Sequence, residues 1–240
     1  MKTIIFLIAF LFTSANLVQA QNKRITVYYN GDSTEVVNLA NTDSIIVFIC
    51  GASRVKYDDK FYNTVPIGEQ CWLKENLNVG TRKDGNILQS NNGEIEKYCY
   101  NDDPANCITY GGLYLWEEMM QYYWSEGTQG ICPDGWHLPS SSEFATLINN
   151  VDDDGNSLKA IGEGYDDGAG TNASGFSALL VGRSYFGVFA YLTNRAYFWT
   201  SSHLMVNDAW YINLFDNNST IVDYNTSNWQ HAYSVRCIMD

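Results

Sequence analysis

All six cysteines of this chain lie after residue 49, at Cys50, Cys71, Cys99, Cys107, Cys132 and Cys237. They constrain the fold more than any other feature. The count is even, and the residues ahead of them read as an export signal. Lys2 supplies a positive start, Ile4 to Phe12 an apolar run, and Val18-Gln19-Ala20 the small residues of a signal-peptidase site. Cleavage is expected after Ala20. The mature chain is then extracytoplasmic (secreted, periplasmic or at the cell surface), where disulfides form and persist. Neither this run nor any later stretch reaches the roughly 18 apolar residues of a membrane span, so the mature chain is expected to carry no transmembrane segment. An even set of cysteines allows many pairings, and spacing alone leaves them open. Zinc is excluded by the lack of a Cys-x2-Cys pair and by the scatter of the three histidines.

The formal charge is −13. A surface this acidic repels phosphate backbones, which argues against a nucleic-acid partner. Aromatic residues are frequent while only 17% of residues are charged, a profile that suits a loop-rich extracellular domain with short strands.

Along the chain, Ile25 to Tyr29 and Glu35 to Leu39 read as strands around the turn Asn30-Gly31-Asp32-Ser33, and Ile45 to Ile49 as a third. Residues 21–49 are therefore a small β unit ahead of a domain at 50–240. Within that domain Val55 to Gln70 reads as a hairpin, residues 80–97 as a loop, and Cys99 to Cys107 as a bracketed turn. Leu113, Trp116, Met120 and Tyr123 recur at helical spacing after Gly111-Gly112. A second helix starts at Ser140, with Glu143 completing a capping box and Phe144, Leu147, Ile148 and Val151 forming one apolar stripe. Short strands follow at 184–191, 197–201, 209–215, 220–224 and 232–239. Two helices followed by a run of strands indicate an α+β domain.

Several blocks carry a family resemblance. Val65-Pro-Ile-Gly-Glu-Gln-Cys-Trp-Leu-Lys-Glu-Asn-Leu77 comes first, and Tyr98 to Cys107 followed by Tyr110-Gly-Gly-Leu-Tyr-Leu-Trp116 comes second. Gly130-Ile-Cys-Pro-Asp-Gly-Trp-His-Leu-Pro139 is the most specific. Gly175-Phe-Ser-Ala-Leu179, Phe198-Trp-Thr-Ser-Ser202 and Ser234-Val-Arg-Cys237 complete the order. Together they resemble the Fibrobacter succinogenes major paralogous domain of bacterial proteins. The resemblance implies a C-type-lectin-like fold, related to the sulfatase-modifying-factor group. It also implies the disulfides Cys132–Cys237, Cys99–Cys107 and Cys50–Cys71. Leu73 departs from the family's usual Met, and Leu180-Val181-Gly182-Arg183 from its Pro-Gly-Gly-like approach to the arginine.

The resemblance carries architecture further than activity. Pairing every cysteine removes any thiol nucleophile and the free pair on which formylglycine-generating relatives depend. There is no Gly-x-Ser-x-Gly elbow, and His137 reads as a structural hydrogen-bonding residue. His203 and His231 fall in loop-like sequence without a carboxylate partner. Calcium is the one cofactor suggested. Asp152, Asp154 and Asn156 place oxygens at alternate positions around a glycine, and Asp166 and Asp167 lie in the long loop where lectin-like domains hold calcium. An EF-hand is rejected, because Gly155 sits at the fourth place of the loop rather than the sixth. The calcium-lectin signatures Glu-Pro-Asn and Gln-Pro-Asp are absent, and Asn207-Asp208-Ala209-Trp210 only loosely echoes Trp-Asn-Asp.

Trp124, Tyr165, Tyr224 and Trp229 sit in polar sequence, where exposed aromatics would mark a binding surface. Trp72, Trp116, Trp136, Trp199 and Trp210 read as core. The expectation is a non-enzymatic, lectin-like module for a carbohydrate or another surface ligand, with Trp124, Tyr165, Asn207, Asp208, Tyr224 and Trp229 as candidate contacts. The alternatives are a structural or adhesive protein acting through protein contacts, whose marker is pairing through residues 21–49, and a metal-dependent enzyme, whose marker is a pocket of carboxylates with raised pKa values.

Overall fold

The computed structural model describes the backbone of residues 6–8, 24–29, 33–38 and 46–240, and side chains from residue 48 onward apart from Tyr224 and Asn225. The expected cleavage site after Ala20 and the turn at 30–32 lie outside the described residues. The chain divides into two units, Met1–Ser53 and Arg54–Asp240, beside the boundary expected at Cys50.

The first unit contains two strand pairs. β1 (Phe6–Ile8) runs parallel to β4 (Ile46–Phe48), and β2 (Arg24–Tyr29) pairs antiparallel with β3 (Ser33–Asn38). The hairpin register joins Tyr29 to Ser33 and Arg24 to Asn38.

The second unit is α+β, with short helices among many antiparallel strands. Its chain order opens with β5 (Arg54–Tyr57), β6 (Lys60–Ile67) and β7 (Gln70–Leu73). The β5–β6 turn places Asp58 and Asp59 at φ 46° and 58°, the paired positive angles of a type I′ hairpin, which Asp tolerates better than most residues. β8 (Thr81–Lys83) and β9 (Glu96–Tyr98) pair in parallel inside the segment expected to be a loop. The polar 84–95 stretch hides this pairing in the sequence.

Cys99 to Cys107 is more than a turn. A short 3-10 segment leads into α1 (Pro104–Tyr110), where Asp103 caps the helix by accepting from the Ala105 amide and Pro104 occupies its first turn. The helix expected from Leu113 onward shrinks to one turn, α2 (Trp116–Met119), preceded by β10 (Tyr114–Leu115). Leu113 bridges to Tyr98 and Tyr114 pairs with Tyr233, so strand pairing overrides the helical spacing.

β11 (Trp136–His137) precedes α3 (Ser141–Asn149). The expected capping box is present, with Ser140 Oγ accepting from the Glu143 amide and Glu143 accepting from the Ser140 amide. α4 (Gly155–Leu158) is capped by Asp154. Then come β12 (Arg183–Tyr185), β13 (Val188–Ala190), β14 (Arg195–Met205), β15 (Asp208–Phe215), β16 (Ile221–Asn228), β17 (His231–Tyr233) and β18 (Ile238–Met239).

Three sheets dominate. One has the order β11-β18-β7-β6-β5, one is the meander β14-β15-β16, and one has the order β10-β17-β12-β13. Alternation along β14 and β15 sends Ala196, Phe198, Ile212 and Leu214 into a core with Phe144, Leu147 and Ile148 of α3. Trp72 lies at its centre, 5.0 Å from Phe144 and 5.7 Å from Phe176 between ring centroids. Trp72, Trp116, Trp136 and Trp199 are buried as expected, while Trp210 is half-buried.

Two cations are sealed inside. Arg236 donates to Asn76 Oδ1 and to the carbonyls of Leu73, Phe176 and Ser177, with Phe176 and Phe198 stacked against its guanidinium. Lys159 donates to the carbonyls of Gly168, Phe215 and Asn218, which uses all three ammonium protons. Two bridges, Cys99–Cys107 and Cys132–Cys237, match the expected pairs. Cys50 and Cys71 are disulfide-bonded as well, and no cysteine is free.

Candidate functional site

The β14–β15 hairpin and the turn after β16 meet at one end of the meander. Met205 pairs with Asp208, and Asp208 with Asn228, so Trp229 follows directly beside the hairpin turn. Its amide donates to the Asn207 carbonyl at 3.3 Å. The Trp229 ring stacks on Trp116, with centroids 4.5 Å apart and planes 18° from parallel. Trp124 stands edge-on to Trp229 at 5.1 Å. His203 completes the group, 5.5 Å from Trp116 and 6.3 Å from Trp124. Trp116 is anchored from below, its indole donating to the Thr200 carbonyl at 2.9 Å.

The group grades from core to surface. Trp116 and Trp229 are buried, whereas Trp124 is 46% exposed. Tyr123 and the hairpin tip Leu204-Met205-Val206 extend the apolar surface into solvent. The Trp229 indole nitrogen is buried without a hydrogen-bond partner. A buried indole N–H normally finds an acceptor, and one left unspent needs a reason.

The sequence-based candidates thus separate. Trp124, Trp229, Asn207 and Asp208 come together, and Asp208 also accepts from Thr226 Oγ1 at 2.8 Å. Trp229 is buried rather than exposed, because Trp116 provides a ring for it to stack on. Tyr165 is exposed, but its amide bonds to Asp216, beyond the far end of β15 from Asp208. At roughly 3.3 Å per strand residue that is more than 20 Å away. Tyr224 lies in β16, and its side chain is outside the described residues. His203 and His231 belong to strands, not loops. His203 is a member of this site that the sequence did not single out, because its ring partners are distant in the chain.

The acidic loops occupy the opposite end of the meander, where Gly155 bonds to Ser219 and Tyr165 to Asp216. Asp154 is committed to the α4 cap, accepting from the Asn156 amide and from Ser157 Oγ. Asn156 donates to the Asp167 carbonyl. Asp152, Asp166 and Asp167 are exposed. Among the described residues, no group of three or more His, Cys, Asp or Glu side chains is placed to hold a metal ion. The carbonyls that converge beside these loops receive the Lys159 ammonium.

Two further charged clusters lie away from the tryptophans. Glu96 and Glu118 are both fully buried. Burial opposes ionisation of Glu96, but Lys83 at 2.7 Å and bonds from Ser90 and Asn92 outweigh it and hold its pKa below the usual range. Burial pushes Glu118 the other way, although the Glu96 amide and the Tyr122 hydroxyl donate to it. Sealed from solvent, the pair pins the 84–95 segment and offers no carboxylate to a substrate.

His137 is clamped between Glu143 at 2.7 Å and Asp240 at 2.6 Å, the structural role expected for it. The Glu143 bond, followed by Asp240, raises its pKa above 6.5 against the opposing effect of burial. Burial works against Glu143 ionising, yet His137 and Ser140 lower its pKa below 4.5. The raised histidine contributes stability that is complete below its unfolded value and is lost as pH climbs through the folded one. The lowered glutamate contributes stability that is complete above its unfolded value and is lost as pH falls through the folded one. Both contributions are present between 4.5 and 6.5. His137→Gln should therefore lower the melting temperature at pH 5.5 and flatten its decline between pH 6 and 9. A parallel pH profile in the variant would refute this linkage.

Gly130 opens the block that leads into these elements. Its φ is 49°, and a Cβ there would strike the Met119 carbonyl. Glycine alone lets the neighbouring Ile131 amide bond that carbonyl, at 2.9 Å. This seats the block against α2, where Trp116 begins the tryptophan cluster.

No curated protein and no solved structure matches the chain. The family model of the Fibrobacter succinogenes major domain matches residues 65–239, from the first motif block through β18, and the chain belongs to that family.

Proposed function

We propose that the domain is a non-catalytic, C-type-lectin-like module of an exported protein, holding a carbohydrate or another cell-surface ligand on the Trp124–Trp229 cluster. The carrying observation is the half-exposed Trp124 ring, which stands edge-on to the buried Trp229 that stacks on Trp116. An exposed aromatic face near the polar Asn207 and Asp208 suits a sugar, which has an apolar face and hydroxyl groups. The oxidised cysteines and the sealed Glu96–Glu118 pair support the non-catalytic part of this reading. The disulfides fit an extracellular protein. The exposed Leu204-Met205-Val206 tip gives the adhesive reading its own footing.

A glycan array probed with the oxidised protein, with and without calcium, tests the proposal. Binding to at least one saccharide class is expected. Trp124→Ala should weaken it about tenfold or more, a change of about 1.4 kcal/mol, with the near-ultraviolet circular dichroism unchanged. A blank array under both conditions would remove the carbohydrate reading and favour protein contacts through the hairpin tip.

A further inference from the structure

Two arginines, one on β12 and one at the start of β14, lie against a shared aromatic ring. Arg183 on β12 and Arg195 at the start of β14 converge on one ring, with guanidinium carbons 5.4 and 4.9 Å from the Tyr191 centroid. Arg183 also lies 6.0 Å from Tyr185, and Arg195 5.0 Å from Phe215. Neither arginine forms an ion pair with a carboxylate among the described residues. The chain has 27 acidic residues against 14 Lys and Arg, so acidic partners are plentiful. Arg82 pairs with Asp84 and Arg236 is held by carbonyls and Asn76, while Arg54 lies over the single ring of Phe61. Arg195 makes one long bond, 3.4 Å to the Tyr197 hydroxyl. Each guanidinium has five donors, and here nearly all are unspent.

The surroundings are aromatic. Tyr185 and Tyr191 are about two-fifths exposed. Tyr185 stacks on His231 at 4.3 Å, and Tyr197 stacks on buried Tyr233 at 4.9 Å. Asn213 lies opposite Tyr197 in the β14–β15 register, 3% exposed, with its Oδ1 unpartnered. Burial first, and then Arg183, push the His231 pKa down to about 4. The ring is therefore neutral at pH 7. Its Nδ1 is engaged by the Asn228 carbonyl and Ser227 Oγ, which leaves Nε2 as an acceptor.

We propose that Arg183 and Arg195, flanking Tyr191, form a binding site for the carboxylate of an acidic sugar, whose ring rests on the exposed part of Tyr185. Guanidinium forks match a carboxylate in a bidentate manner. The exposed parts of Tyr185 and Tyr191 beside them add aromatic surface for a pyranose that carries one, whereas a bare anion would leave that surface unused. The net negative charge opposes anions at long range. That field is largely screened beyond about 8 Å at physiological salt, so the short-range contacts decide affinity. This site stands apart from the argument for Trp124, and the two can fail separately.

Isothermal titration of the oxidised protein with trigalacturonic acid, with its methyl ester and with acetate provides the test. The acid should bind, and the ester and acetate should each bind at least tenfold more weakly. Arg183→Gln and Arg195→Gln should each cost tenfold or more with near-ultraviolet circular dichroism unchanged. Should either perturb folding, the Lys variants keep the charge and remove the fork, and tenfold weaker binding is again expected. An ester that binds as well as the acid, acetate that binds as well as the sugar, or arginine variants that bind normally would each overturn the proposal.

Discussion

Replacing Cys132 and Cys237 together by serine should destabilise the second unit by about 4.7 kcal/mol, the loop entropy expected for a bridge of this span. The bridge closes a sequence separation of 105, whereas Cys99–Cys107 closes 8 and is worth roughly 2.6 kcal/mol on the same model. The short loop lies wholly outside the long one, so the two effects should add. Domains of this kind hold about 5–15 kcal/mol in total. The double variant should therefore sit near its folding threshold, and the Cys99–Cys107 variant well above it. Urea midpoints of the two variants would show this order. Equal losses would mean that loop length is not what the long bridge contributes.

Arg236→Met should cost about 3–5 kcal/mol, the range for removing one member of a buried charged network. Burial pulls the guanidinium from 12.5 down to about 9, which leaves it charged at neutral pH. Its cation is accommodated by three carbonyls and the Asn76 amide oxygen rather than by a carboxylate. Methionine fills most of the volume and satisfies none of those acceptors. Arg236→Lys should rescue only part of the loss, because an ammonium cannot span the fork between Leu73 and Phe176. A thermal midpoint for Arg236→Met within about 2 °C of the parent would refute this account, since even 1 kcal/mol shifts a domain of this size by about that much or more.

Local signals in the sequence were reliable where a few neighbouring residues decide the outcome. The Ser140–Glu143 box, the two strands β2 and β3 and the burial of Trp72, Trp136 and Trp199 all belong to this class. Signals failed where a distant partner decides. The spacing from Leu113 to Tyr123 reads as helix until Tyr98 and Tyr233 claim Leu113 and Tyr114 as strand. Trp229 looks like a loop aromatic until Trp116 supplies a ring beneath it. The α1 start was written in Asp103-Pro104 but masked by the flanking cysteines, which suggested a turn. Nothing near Lys159 announces that its ammonium fills a nest of carbonyls. The acidic residues around it were legible as a cluster, and the cation they lie beside was not.

β18 comes last in the order of described strands, yet it lies inside its sheet between β11 and β7, with Ile238 paired to both His137 and Trp72. β7 and β11 are joined through it. A nascent chain therefore cannot close this sheet until residues 238–239 have been translated, however long the earlier strands have waited. For the same reason, removing residues 238–239 would not yield a slightly smaller domain. It would leave two open strand edges bearing Trp72 and Trp136, which are sites for misassembly with other chains.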